Sequence, residues 1–144
     1  MKRNNWMTLS LLAVATLFSF AASLSQGATA RRVADHGFSV KEYKDFHDVL
    51  HPLEHEALPN NDFKTIRAKA PELLRLGEAI LNIGVPRGVE AKHTGDFKEW
   101  LQRFSEALRE FKRDARDGTD ERLRASYSAV HDSFEMLAAM LPGK

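Results

Sequence analysis

Three histidines four residues apart, His47, His51 and His55, share the segment HDVLHPLEHEALP with Glu54 and Pro52. On a helix, side chains at i and i+4 stand about 5–6 Å apart at Cβ. Two imidazoles at that spacing can reach one transition-metal ion at about 2.0–2.1 Å. Counting about 100° per residue from His47, His51 falls near 40°, Glu54 near −20° and His55 near 80°, so all four share one side of a helix. Pro52 lacks an N–H and disfavours helical geometry at His51, so a kink is expected between His51 and Glu54. Such a kink shifts the phase of His55 and opens a carbonyl near Asp48.

A further ligand must come from another element, and His131-Asp-Ser-Phe-Glu135 near the C-terminus offers one. The expected set is His47, His51 and His131, completed by Glu54, His55 or Glu135, with Asp48 or Asp132 holding the imidazoles from behind. Imidazole with carboxylate suits zinc, copper, nickel or iron, and copper binds tightest where a site does not discriminate. Met136 and Met140 would favour cuprous ion, although both fit equally as core fillers. The competing reading is a solvated, histidine-rich helix edge. His36 and His93 are read in that way.

These residues need a frame, and the apolar periodicity supplies one. Ser39-Val-Lys-Glu42 reads as a capping box with Phe38 stapled onto Tyr43, opening a first helix over Val40–Leu58 whose buried face is Tyr43, Phe46, Leu50, Leu53 and Ala57. Pro59 with Asn60-Asn61 ends it. A second helix runs from after Asn61 to about Ile83 on a stripe of Phe63, Ile66, Ala70, Leu73, Gly77 and Ile80, with Pro71 expected to kink it. Gly77 on that stripe signals either close helix packing or room for a ligand, and close packing is the simpler reading. The loop 84–94 follows. Asp96-Phe-Lys-Glu99 then caps a third helix with Phe97, Trp100, Leu101, Phe104, Leu108 and Phe111. Gly118 turns the chain, Thr119 caps a fourth helix, and Leu123, Tyr127, Val130, Phe134, Leu137 and Leu141 form its stripe.

Four amphipathic helices with mostly short connections and no strand-period segment predict an all-α, antiparallel up-down-up-down four-helix bundle over residues 39–144. First and last helices are then neighbours, and His47 and His131 sit nearly level.

Residues 1–30 read as a signal peptide: Lys2 and Arg3, an apolar run from about Met7 to Leu24, and Ala28-Thr29-Ala30 at the cleavage point. Residues 31–38 form a polar N-terminal stretch. The expected location is the periplasm or the secreted fraction, with no stable membrane insertion after cleavage. Losing Lys2 and Arg3 takes the formal charge from +1 to about −1, which gives no electrostatic case for nucleic acid. The chain has no cysteine, so disulfides, thiolate metal sites and covalent haem are excluded.

The segment ASYSAVHDSFEMLAAML, residues 125–141, resembles the last helix of the cytochrome c-prime family, four-helix bundles of the periplasm whose final helix carries C-x-x-C-H. His131-Asp132-Ser133-Phe134 matches the histidine and its downstream part. Tyr127 and Val130 stand at the cysteine positions. The resemblance covers about a dozen residues and implies the bundle architecture, an exported chain and His131 as an axial haem ligand. The soluble b-type cytochrome of this architecture binds haem without covalent links, through a first-helix methionine. That methionine is missing here, so haem b would need His47 or His51 opposite His131.

The leading functional expectation is a non-catalytic protein holding zinc, copper or nickel through histidines of the first and fourth helices. The alternatives are a haem b protein using His51 and His131, and a stress-related interaction protein with no ligand. Homodimer formation is left open. Catalysis is not expected, because there is no Glu-x-x-His pair for a di-iron centre and no recognisable nucleophile elbow.

Overall fold

Wherever the apolar stripes recur at helical spacing, the chain is helical. The computed structural model describes residues 37–143, which lie within one compact unit. Among them there are four α-helices and no strand: α1 (Lys41–Pro52), α2 (Phe63–Ile83), α3 (Thr94–Asp117) and α4 (Asp120–Ala138). A π-helical turn, Leu53–Ala57, extends α1, and a 3₁₀ turn, Ala91–His93, precedes α3. The expected leader and most of the polar stretch, including His36, lie outside the described residues. None of the described helices is long and apolar enough to cross a membrane.

The predicted stripes meet in one aromatic core. Tyr43, Phe46, Phe97, Phe104, Phe111, Tyr127 and Phe134 are fully buried, together with Leu50, Ile66, Leu73, Ile80 and Leu123. Helices α1 and α4 run antiparallel. Ser39 Oγ donates to the Pro142 carbonyl (2.8 Å), Tyr43 stacks on Phe134, and Tyr127 Oη donates to the Leu50 carbonyl (3.0 Å). Helices α2 and α3 are also antiparallel, since Gly77 faces Leu108 while Arg67 reaches the end of α3. A Cβ on Gly77 would fall 2.7 Å from Leu108 Cδ1, so this glycine serves close packing and leaves no space for a ligand.

Helix ends carry unpaired carbonyls and a partial negative charge, and two arginines from neighbouring helices serve them. Arg67 donates through Nη1 to the carbonyls of Asp114 and Ala115, and through Nη2 to the Gly118 carbonyl and Asp120. Arg124 donates to the Leu58 carbonyl and to Asn61 Oδ1 (2.6 Å), where the first helix stops. Asn61 takes the left-handed conformation there (φ 54°), which asparagine tolerates better than most residues.

Local capping departs from expectation in two places. Val40 stands at the start of α1 without a side-chain cap, because Ser39 bonds across to Pro142. Phe38 rests on His47 and Phe134 (ring centroids 5.2 and 6.0 Å). Helix α3 begins at Thr94, so Asp96 lies inside its first turn. Thr119 does cap α4, accepting from Arg122 N (3.3 Å).

Asp114, buried near the end of α3, meets Arg113 and Arg122 at 3.2 Å each. Burial pushes its carboxyl up, but the hydrogen bond and charge of Arg113 and the charge of Arg122 outweigh that and hold it below the usual carboxylate range. A lowered folded-state pKa means stability that is present above the unfolded value of about 3.9 and is lost as pH falls through the folded value. Asp114→Asn is therefore expected to lower the urea midpoint at pH 7 and to flatten its decline between pH 4 and pH 2. A parallel decline in both proteins would contradict this.

Candidate functional site

The first helix meets its proline without breaking. Pro52 cannot donate to the carbonyl four residues back, and the chain answers with a wider turn in which Leu58 N donates to the Leu53 carbonyl (2.9 Å) and Asp62 N to the Ala57 carbonyl (2.9 Å). A π-turn, Leu53–Ala57, lies just after the proline, where the sequence predicts the kink. Leu53 and Ala57 stay buried, Glu54 is half-buried, and His55 and Glu56 are exposed. The change of phase leaves His55 at the outer rim.

Along α1 the imidazoles form a ladder from core to solvent. His47 is buried at 7% exposure between the Phe38 and Phe134 rings, with centroids 5.2 and 6.3 Å away. His51 is half-buried, its ring 5.1 Å from that of His47 and 4.3 Å from that of His55. Across from them, α4 supplies His131. Since Tyr127 meets α1 at Leu50 and Phe134 meets it at Tyr43, Phe46 and His47, His131 lies at the level between those contacts.

One groove of about 510 Å³ gathers these groups. His47, Leu50, His51, Glu54 and His55 form one flank, His131, Glu135, Ala138 and Ala139 the other, and Phe38 closes an end. All six residues singled out as ligands thus line one space. As they stand, no three His, Asp or Glu side chains among the described residues are gathered closely enough to hold a metal ion. The groove therefore offers donors on two flanks, one from the first helix and one from α4.

The supporting carboxylates divide. Asp132 lies 3.3 Å from His131 Nδ1. With Nδ1–H donated to Asp132, His131 Nε2 keeps its lone pair for a ligand. Asp48 plays no such part. It is exposed, bonded to Lys44 Nζ at 2.7 Å, and lines a different groove between the first helix and α2. His93 sits in the 3₁₀ turn before α3, away from this groove.

Four contributors were not legible as part of the site. Tyr127 anchors the α1 backbone at Leu50, and its hydroxyl is pushed up by burial and then by the nearby Glu54 carboxylate. Phe38 is the end wall. Ala138 and Ala139, seven and eight residues beyond His131, keep the α4 flank low, and that spacing along one face was the signal for them.

No family model, curated protein or solved structure matches the chain.

Proposed function

We propose that the groove between α1 and α4 binds a transition-metal ion, zinc, copper or nickel, and that the protein carries or buffers that ion outside the cytoplasm rather than catalysing a reaction. The observation behind this reading is that His47, His51, His55 and His131 line a single groove with Glu54 and Glu135. His47, His51 and His131 are the primary donors. Bringing them onto one ion asks for rotation of the side chains between staggered rotamers. An up-down-up-down bundle suits this work, because bundle cores build such sites from side chains on facing helices. Export rests on the leader-like first thirty residues.

The test is elemental analysis and metal titration of the protein purified without chelator, beside His51→Ala and His131→Ala. Each substitution is expected to lower affinity at least 10-fold. Unchanged metal content in both would end the proposal.

A second reading, non-covalent haem b, is favoured by one feature: His51 and His131 line one groove together with the apolar Phe38, Leu50, Ala138 and Ala139. It calls for a Soret band on haem addition that His131→Ala abolishes.

A further inference from the structure

Resting on the metal reading of the groove, we infer that Glu54 is itself a ligand and that the site is built for a divalent ion, with cuprous copper excluded. Glu54 Oε2 is buried and has no hydrogen-bond partner, a state shared among the described residues by one other side-chain atom, Tyr43 Oη. A buried carboxylate oxygen left without a donor is costly. One hydroxyl close enough to feel the Glu54 charge, that of Tyr127, is committed elsewhere: it donates to the Leu50 carbonyl. The π-turn explains how Glu54 comes to stand there. It is half-buried in the groove wall, while His55 and Glu56 beside it are exposed. A cation held by the imidazoles would meet the open oxygen and remove its cost.

The donor set then decides the class of ion. Imidazole and carboxylate are nitrogen and oxygen donors that suit Zn²⁺, Ni²⁺ and Cu²⁺, whereas cuprous ion selects thiolate and thioether sulfur. The chain has no cysteine. Met136 is 43% exposed, Met140 packs against the core, and neither lines the groove. The anionic oxygen also favours the higher charge of a dication.

The experiment titrates wild type, Glu54→Gln and Glu54→Asp with Zn²⁺, and wild type with Cu⁺ under reductant, each against a competing chelator. Wild type is expected to bind Zn²⁺ in preference to Cu⁺. Glu54→Gln keeps shape and loses charge, so its Zn²⁺ affinity should fall at least 10-fold. The metal-free variant should melt no lower than wild type, since an uncompensated buried charge has been removed. Glu54→Asp, shorter by one methylene, should fall between the two. Zn²⁺ bound as tightly by Glu54→Gln as by wild type, while His51→Ala loses it, would overturn the ligand role and leave the metal reading standing. Preference for Cu⁺ over Zn²⁺ would overturn the divalent assignment. Wild type that binds none of these ions would remove the metal reading and this inference together.

Discussion

Replacing Phe134 with alanine is expected to destabilise the protein by about 3–5 kcal/mol. The ring is fully buried and stands at the convergence of Phe38, Tyr43, Phe46 and His47, with centroids 6.0, 5.9, 4.8 and 6.3 Å away. Truncation removes the transfer free energy of the ring and leaves a void that helices pinned by Tyr127 and Ser39 cannot easily close. Domains of this size have about 5–15 kcal/mol of stability in total, so the variant should unfold at a far lower urea concentration with an unchanged slope. A loss under 1 kcal/mol would mean that α1 and α4 are not joined through this ring. Phe134 is also a wall of the His47 site, so any folded fraction should bind metal more weakly.

The fold was readable because burial follows periodicity. Tyr43, Phe46, Leu50, Ile66, Leu73, Ile80, Phe97, Phe104, Phe111, Tyr127 and Phe134 recur at three-to-four spacing, and each is buried. Local motifs were less dependable wherever a distant residue competed for the same atom. Ser39 fits a capping box in sequence, but its hydroxyl finds the Pro142 carbonyl, a partner 103 positions away. Phe38 likewise meets distant partners, its ring lying against His47 and Phe134. Pro52 illustrates a different limit. Proline forbids one hydrogen bond but does not say how the helix will absorb the loss, and here a π-turn does so.

For the site, helical spacing was sufficient to put the three α1 histidines and Glu54 on one side, and antiparallel packing brought His131 and Glu135 to the facing flank. Of the two carboxylates expected behind the imidazoles, Asp132 lies beside His131 while Asp48 pairs with its neighbour Lys44. The role of Tyr127 was hidden by its type: an aromatic on a buried stripe reads as core, and only the fold reveals the Leu50 carbonyl beside its hydroxyl.

Binding in this groove leads to the second large effect. If the flanks close on an ion, binding must appear as folding stability, because the donors converge only in the folded chain. At free Zn²⁺ of 100 times Kd the gain is about 2.7 kcal/mol. For a domain of this length that corresponds to a melting temperature higher by roughly 10 °C. The effect should vanish with chelator. At the same free Zn²⁺ it should fall to about half or less in His131→Ala, which keeps the α1 ladder but removes the opposite flank and binds at least 10-fold more weakly, so an undiminished shift in that variant would assign the ion to α1 alone. Binding across the groove also ties α1 to α4, whose backbones approach less closely than those of α3 and α4. Amide exchange should therefore slow most in the turns that carry His47, His51 and His131. Equal slowing in α2 and α3 would show that the ion sits elsewhere.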